Sequence, residues 1–105
     1  MATDTFVIRV AGVSFHQANL THVQVGNCCL LVPEPSNPYD RNAIQVIADG
    51  QPKLMLGYIP KHCNEVLLDA ININCEIKAT IDSIGTAAGS NLVGISLRLE
   101  ITYPP

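Results

Sequence analysis

The stretch Ser36-Asn37-Pro38-Tyr39-Asp40-Arg41-Asn42-Ala43-Ile44-Gln45-Val46, followed by Leu56-Gly57-Tyr58-Ile59-Pro60-Lys61, is the most informative part of this chain. Ala43 to Ala48 alternates as a strand does, Asp49-Gly50 is a hairpin signal, and Lys53 to Ile59 returns as the partner strand until Pro60 ends it. Two tyrosines, a carboxylate and a lysine therefore fall around the two ends of one predicted hairpin. Such a set can stack bases on aromatic faces, accept a sugar hydroxyl's hydrogen bond at Asp40 and bring a cation to a phosphate at Lys61. This chemistry grips a ligand; it does not transform one.

The flanking sequence extends the pattern. Thr5 to Val10 predicts a first strand ending at Gly12, and Val13 to Gly26 an irregular connection. Cys28-Cys29-Leu30-Leu31-Val32 predicts a second strand, stopped by Pro33 and Pro35 because proline cannot donate to a ladder. From Lys61 to Ile71 the apolar residues Cys63, Val66, Leu67 and Ala70 recur at helical steps, with Pro60 suited to the helix start. Glu76 to Asp82 alternates with period two. Gly85-Thr86-Ala87-Ala88-Gly89-Ser90 predicts a flexible connection, and Leu92 to Thr102 alternates again with Val93, Ile95, Leu97, Leu99 and Ile101 on one face. The expected fold is mainly β: a small six-stranded barrel or strongly bent sheet with one short helix, in which closure removes exposed edges. The expected core is Val7, Leu30, Ile44, Val46, Leu56, Ile59, Leu67, Ile77, Ile81, Leu97 and Leu99.

With 105 residues, 48% of them hydrophobic, the chain has the size and apolar content of a single domain. A net charge of −3 argues against broad, charge-driven association with duplex DNA or anionic membrane, so nucleic-acid binding would rest on local contacts. No apolar run reaches membrane-spanning length and no signal peptide is apparent; a soluble intracellular protein, cytoplasmic if bacterial, is expected. Cys28, Cys29, Cys63 and Cys75 lack zinc-site spacing, and Cys28, Cys29 and Cys75 are expected as free thiols in the core. No metal or other cofactor is expected.

The central motif, together with Val10-Ala11-Gly12-Val13-Ser14-Phe15, resembles the signature of the HIRAN domain, and the likeness runs from about Phe6 to about Thr102. The resemblance implies one domain over residues 1–105 with a modified oligonucleotide-binding-type barrel. It also implies a non-catalytic DNA-binding module that captures the unpaired 3′ end of single-stranded DNA, as in fork-remodelling proteins of DNA replication and repair. Carried over by position, Phe15 and Tyr39 would face the last bases, Asp40 would accept the terminal 3′-hydroxyl, and Tyr58 and Lys61 would line the groove near sugar and phosphate. Ser14 departs from the basic residue of the eukaryotic members, which implies modest affinity. A helicase or nuclease partner would supply motor or catalytic function; the sequence leaves the oligomeric state open.

Other readings of the same residues stand beside this one. Asn37 to Asp40 is also an ordinary turn, Tyr58 a core-edge tyrosine, Lys61 a solvated lysine and Phe15 an anchor pinning its loop to the barrel. Arg9, Arg41 and Arg98 form a phosphate track if they converge, while Arg41 can instead neutralise Asp40. A protein-interaction barrel that recruits a DNA-processing partner is the alternative function, and it accommodates the acidic balance. An enzyme built on Cys63 with His62 or His16, or on Asp40 with His22, fits poorly. Adjacent His62 and Cys63 on a helix diverge, and one Asp without a second carboxylate is a poor magnesium site.

Overall fold

The computed structural model describes residues 2–86 and 89–105. Six antiparallel strands form one sheet in the order β1-β6-β5-β2-β3-β4, with β1 Thr3–Arg9, β2 Cys28–Pro33, β3 Ile44–Ala48, β4 Leu54–Tyr58, β5 Glu76–Thr86 and β6 Val93–Thr102. β6 is the spine: it pairs with β1 from Thr3↔Thr102 to Arg9↔Ser96, and with β5 from Glu76↔Thr102 to Thr86↔Val93. β2 meets β5 only through Cys28↔Thr80 and Cys29↔Ala79 before turning away to pair with β3. The sheet thus bends sharply, bringing its two edge strands toward each other.

Those edges touch at one place. Just beyond β1, the Ala11 N–H donates to the Tyr58 carbonyl at 2.8 Å, and the Tyr58 N–H donates back to the Ala11 carbonyl at 2.8 Å. The ladder is therefore not a closed barrel but a bent sheet whose ends are pinned by a single bridge. Gly57 makes the approach possible, since a Cβ there would overlap the Ala11 carbonyl oxygen and come within 2.7 Å of Val10 Cγ1. Gly12, at φ 73°, turns the chain in the left-handed region directly against the Tyr58 ring.

The core fills the concave side of the sheet. Ile44, Val46, Leu56, Leu67, Leu97, Leu99 and Ile101 are fully buried, and Ile59, Ile81 and Ile95 nearly so. Helix α2, Asn64–Asn72, follows a 3₁₀ turn over Lys61–Cys63 and closes the core with Leu67 and Ala70. Between β1 and β2 lies a 3₁₀ turn, Val13–Phe15, and a single helical turn α1, Gln17–Leu20. The expected irregular connection is thus partly ordered. Its Leu20 and Val23 are buried, and Gln17 ties it to β6, donating from Nε2 to the Val93 carbonyl and accepting from the Val93 N–H at Oε1.

Several expectations are corrected. Val7 is exposed while Ile8 and Val10 face the core, because Phe6-Val7-Ile8 is an unbroken apolar run in which alternation gives no parity. Cys29, not Leu30, takes the buried position of its strand for the same reason, and Cys28 is exposed. All four cysteines are unpaired thiols; burial pushes Cys29 up to about 11, with the negative ends of Cys28 and Asp49 adding to it. Val66 lies on the exposed side of α2. Finally, β5 continues past Asp82 through a bulge between Ile81 and Ser83, so that Gly85 and Thr86 pair with β6 instead of forming the connection. The Ala87-Ala88 part of that expected connection lies outside the described residues. No described helix is long and apolar enough to cross a membrane.

Candidate nucleic-acid interface

The β2–β3 connection, residues 34–43, is a compact loop built on side-chain caps. Its ends are closed by the Glu34 N–H donating to the Ala43 carbonyl at 2.9 Å. Inside it, Asn37 Oδ1 accepts from the N–H groups of Tyr39 at 2.8 Å and Asp40 at 3.0 Å, the turn expected of an asparagine before proline. Asn37 Nδ2 in turn donates to Glu34 Oε1. With its backbone thus tied down, the loop holds Tyr39 outward with 94% of its surface exposed. The turn reading and the binding reading of this segment are compatible: the turn is what presents the ring.

Asp40 points the other way, toward the start of α2. Its Oδ1 accepts from the Asn42 N–H at 2.9 Å and its Oδ2 from Asn64 Nδ2 at 3.1 Å. One donor on each oxygen fixes the carboxylate plane and leaves further acceptor capacity on both atoms. Beyond the loop, Glu34 accepts from Gln45 Nε2 and, at a long 3.3 Å, from the Tyr58 hydroxyl. Burial raises the Tyr58 phenol above its ordinary range, and the Glu34 charge and hydrogen bond add to the shift. Tyr58 therefore stays protonated, its one phenol proton shared with Glu34.

These residues line one groove of about 570 Å³, bounded by Ala11, Glu34, Asn37, Pro38, Tyr39, Asp40, Ala43, Tyr58, Ile59, Lys61 and Asn64. Four of the five expected site residues, Tyr39, Asp40, Tyr58 and Lys61, are brought together there by three different segments: the β2–β3 loop, the end of β4 and the turn before α2. The Ala11–Tyr58 bridge sits at the same place, so the point where the sheet edges meet is also the wall of the groove.

Phe15 does not line it. The ring lies on the 3₁₀ turn that follows the bridge and is 86% exposed, so it is not the loop anchor that the alternative reading expected. Gln17, Leu20 and Val23 hold that segment instead. Lys61 has no carboxylate within ion-pair distance among the described residues; the pairs present are Lys53–Asp49 and Arg98–Asp82. Arg41 likewise forms no ion pair with Asp40. Arg98 is held by Asp82, Arg9 crosses Gly94 on the outer side of β6, and neither they nor Arg41 line the groove. The expected arginine track is not assembled there.

Sequence reasoning missed Glu34 and Asn64. Glu34 stands between Pro33 and Pro35, where no periodicity marks a direction. Asn64 left a readable signal, since Asn64, Leu67 and Ala70 are spaced by three along the buried face of α2. A polar residue on that face has to be satisfied or used.

Comparison with known proteins accounts for this arrangement. A search among curated proteins returned no match. A solved structure of a protein from Lactobacillus plantarum superposes with a TM-score of 0.76 at 24% identity, over 95% of each chain. The crystal structure of the HIRAN domain of human HLTF superposes with a TM-score of 0.69 at 20% identity, over 92% of this chain and 74% of that one. The family model described as the HIRAN domain matches residues 3–101, nearly the whole length, and the chain belongs to the HIRAN domain family.

Proposed function

We propose that this protein binds single-stranded DNA at a free 3′-hydroxyl end, without catalysis. The HIRAN domain is known as a DNA-binding module and not a catalytic one, which supports DNA as the ligand class. The observation that carries the finer reading is the pairing, in one groove, of a solvent-facing Tyr39 ring with an Asp40 carboxylate held in place by two donors.

A base stacked on Tyr39 gains roughly 1–3 kcal/mol without regard to its identity, and Phe15 offers a second face outside the groove. The terminal 3′-hydroxyl donates to Asp40, a charge-assisted bond of about 1.5–3 kcal/mol. A 3′-phosphate at the same point meets a like charge instead. Lys61, free of carboxylate partners among the described residues, faces the phosphodiester backbone, and the Tyr58 ring, its phenol proton held by Glu34, lines the groove beside it. With Glu34 and Asp40 both at the groove, a run of phosphates is disfavoured and a terminus is preferred over an internal segment. On this reading the protein acts inside the cell, delivering a DNA end to a helicase or nuclease partner in replication or repair.

The test is fluorescence anisotropy at low salt with a short strand labelled at its 5′ end. The strand carries a 3′-hydroxyl or a 3′-phosphate, and a blunt duplex serves as control. The hydroxyl strand is expected to bind most tightly, and Asp40→Ala to remove the preference at a cost of about tenfold or more in affinity for that strand. Equal binding of both single strands by the wild-type chain would reject end recognition. Absence of binding to all three would reject DNA as the ligand and favour a protein partner on the same surface.

A further inference from the structure

Asn64 is the first residue of α2, 3% exposed, and it faces the groove beside Asp40. Its Nδ2 donates to Asp40 Oδ2, while its Oδ1 is sealed from solvent and has no hydrogen-bond partner among the described residues. A buried acceptor left unsatisfied destabilises the fold by its uncompensated desolvation, a cost that an apolar side chain of similar shape would not carry. Leucine matches the branching of asparagine and would continue the apolar face formed with Leu67 and Ala70. The fold by itself therefore gives no reason for an amide here, whereas the Asp40 carboxylate does.

Building on the 3′-end reading above, we propose that Asn64 is a positioning residue for strand-end recognition: its amide holds the Asp40 carboxylate in the orientation that receives a 3′-hydroxyl. The Asn42 N–H restrains Oδ1 from within the same loop, whereas Asn64 restrains Oδ2 from the start of a helix packed on the core. Loss of that second donor leaves the carboxylate free to rotate away from the groove. Asn64 does not itself touch the strand; it acts through Asp40.

The test compares the wild-type chain with Asn64→Leu and Asn64→Ala, reading thermal melting together with binding of 5′-labelled single strands ending in a 3′-hydroxyl or a 3′-phosphate. Asn64→Leu is expected to melt near the wild-type temperature, relief of the orphaned Oδ1 offsetting the donor lost to Asp40, while its hydroxyl-over-phosphate preference falls by several-fold to about tenfold, with binding of the phosphate-ended strand unchanged. Asn64→Ala is expected to lose the same preference and also to melt lower, through the volume removed. Retention of the full preference by a folded Asn64→Leu chain would overturn the proposal. So would a parallel loss for both strands, which is the mark of a merely structural residue. If the wild-type chain itself shows no preference, the 3′-end reading fails first and this inference falls with it.

Discussion

The β1–β6–β5 half of the sheet is long and, apart from one bulge in β5, regular, with β6 registered along most of its length against both neighbours, whereas β2, β3 and β4 are shorter and end in loops full of capped polar groups. The first half buries Ile95, Leu97, Leu99 and Ile101 from a single strand. The second supplies the walls of the groove. Stability and recognition are thus largely separated in space, and they meet only where Ala11 bridges Tyr58. The difference teaches where the chain tolerates change: substitutions in the regular half, and at the buried Ile44, Val46 and Leu56 of β3 and β4, act through folding, and those in the loops of the second half act through binding.

The sharpest way to break this division is to hollow out the regular half. Leu97→Ala removes a fully buried side chain from the central strand and is expected to cost about 2–5 kcal/mol of stability. In chemical denaturation the midpoint should fall, while the fraction that remains folded binds a 3′-hydroxyl strand as before. Altered affinity of the folded fraction would mean that the two halves are coupled through the core.

Next in size is Gly57→Ala, placed at the junction. The added methyl cannot fit between β4 and the Ala11 carbonyl without parting the bridge. A loss of about 1–3 kcal/mol in stability is expected from overpacking, accompanied by weaker strand binding because the groove wall moves with the bridge. A stability loss with binding intact would separate closure of the sheet from the shape of the groove.

Within the groove, Tyr39→Ala is expected to weaken single-strand binding by about 1–3 kcal/mol for the lost stack while leaving the melting temperature in place, because the ring makes almost no contact with the fold. A drop in melting temperature would instead assign Tyr39 to the architecture. The smallest effect belongs to Lys61→Ala. It should weaken all single strands to a similar degree and reduce the slope of log affinity against log salt by about one, without touching the discrimination between 3′-hydroxyl and 3′-phosphate.

The same division explains what the sequence disclosed. Where large apolar residues alternate with polar or small ones, as along β6 and through Ile81 of β5, alternation reports the inward residues directly. Where apolar residues run on without a break, as in Phe6-Val7-Ile8 and Cys29-Leu30-Leu31-Val32, parity is lost, and the expected core takes in Val7 and Leu30 where Ile8 and Cys29 are the buried residues. Strand β5 was expected to stop at Asp82 because its bulge resets the alternation there. The groove was legible to the extent that Tyr39, Asp40, Tyr58 and Lys61 belong to one motif. Its carboxylate and amide supports, Glu34 and Asn64, were not, because their importance comes from tertiary contacts with residues 24 positions away in each case: Glu34 with Tyr58, and Asn64 with Asp40.

The most direct test is a two-dimensional ¹H–¹⁵N titration of the full chain with a short single strand ending in a 3′-hydroxyl. A second concavity of about 580 Å³, lined among others by Asn19, His22, Cys28, Asp49 and Leu54, serves as the internal control. It matches the groove in size, but it offers no tyrosine or phenylalanine ring, and its Asp49 is already paired with Lys53. Shift changes are expected at Tyr39, Asp40, Tyr58 and Lys61 and at the Asn64 side-chain amide, with the β5–β6 pairing and the second concavity undisturbed. Changes centred on His22, Cys28 and Asp49, with the groove silent, would contradict the account.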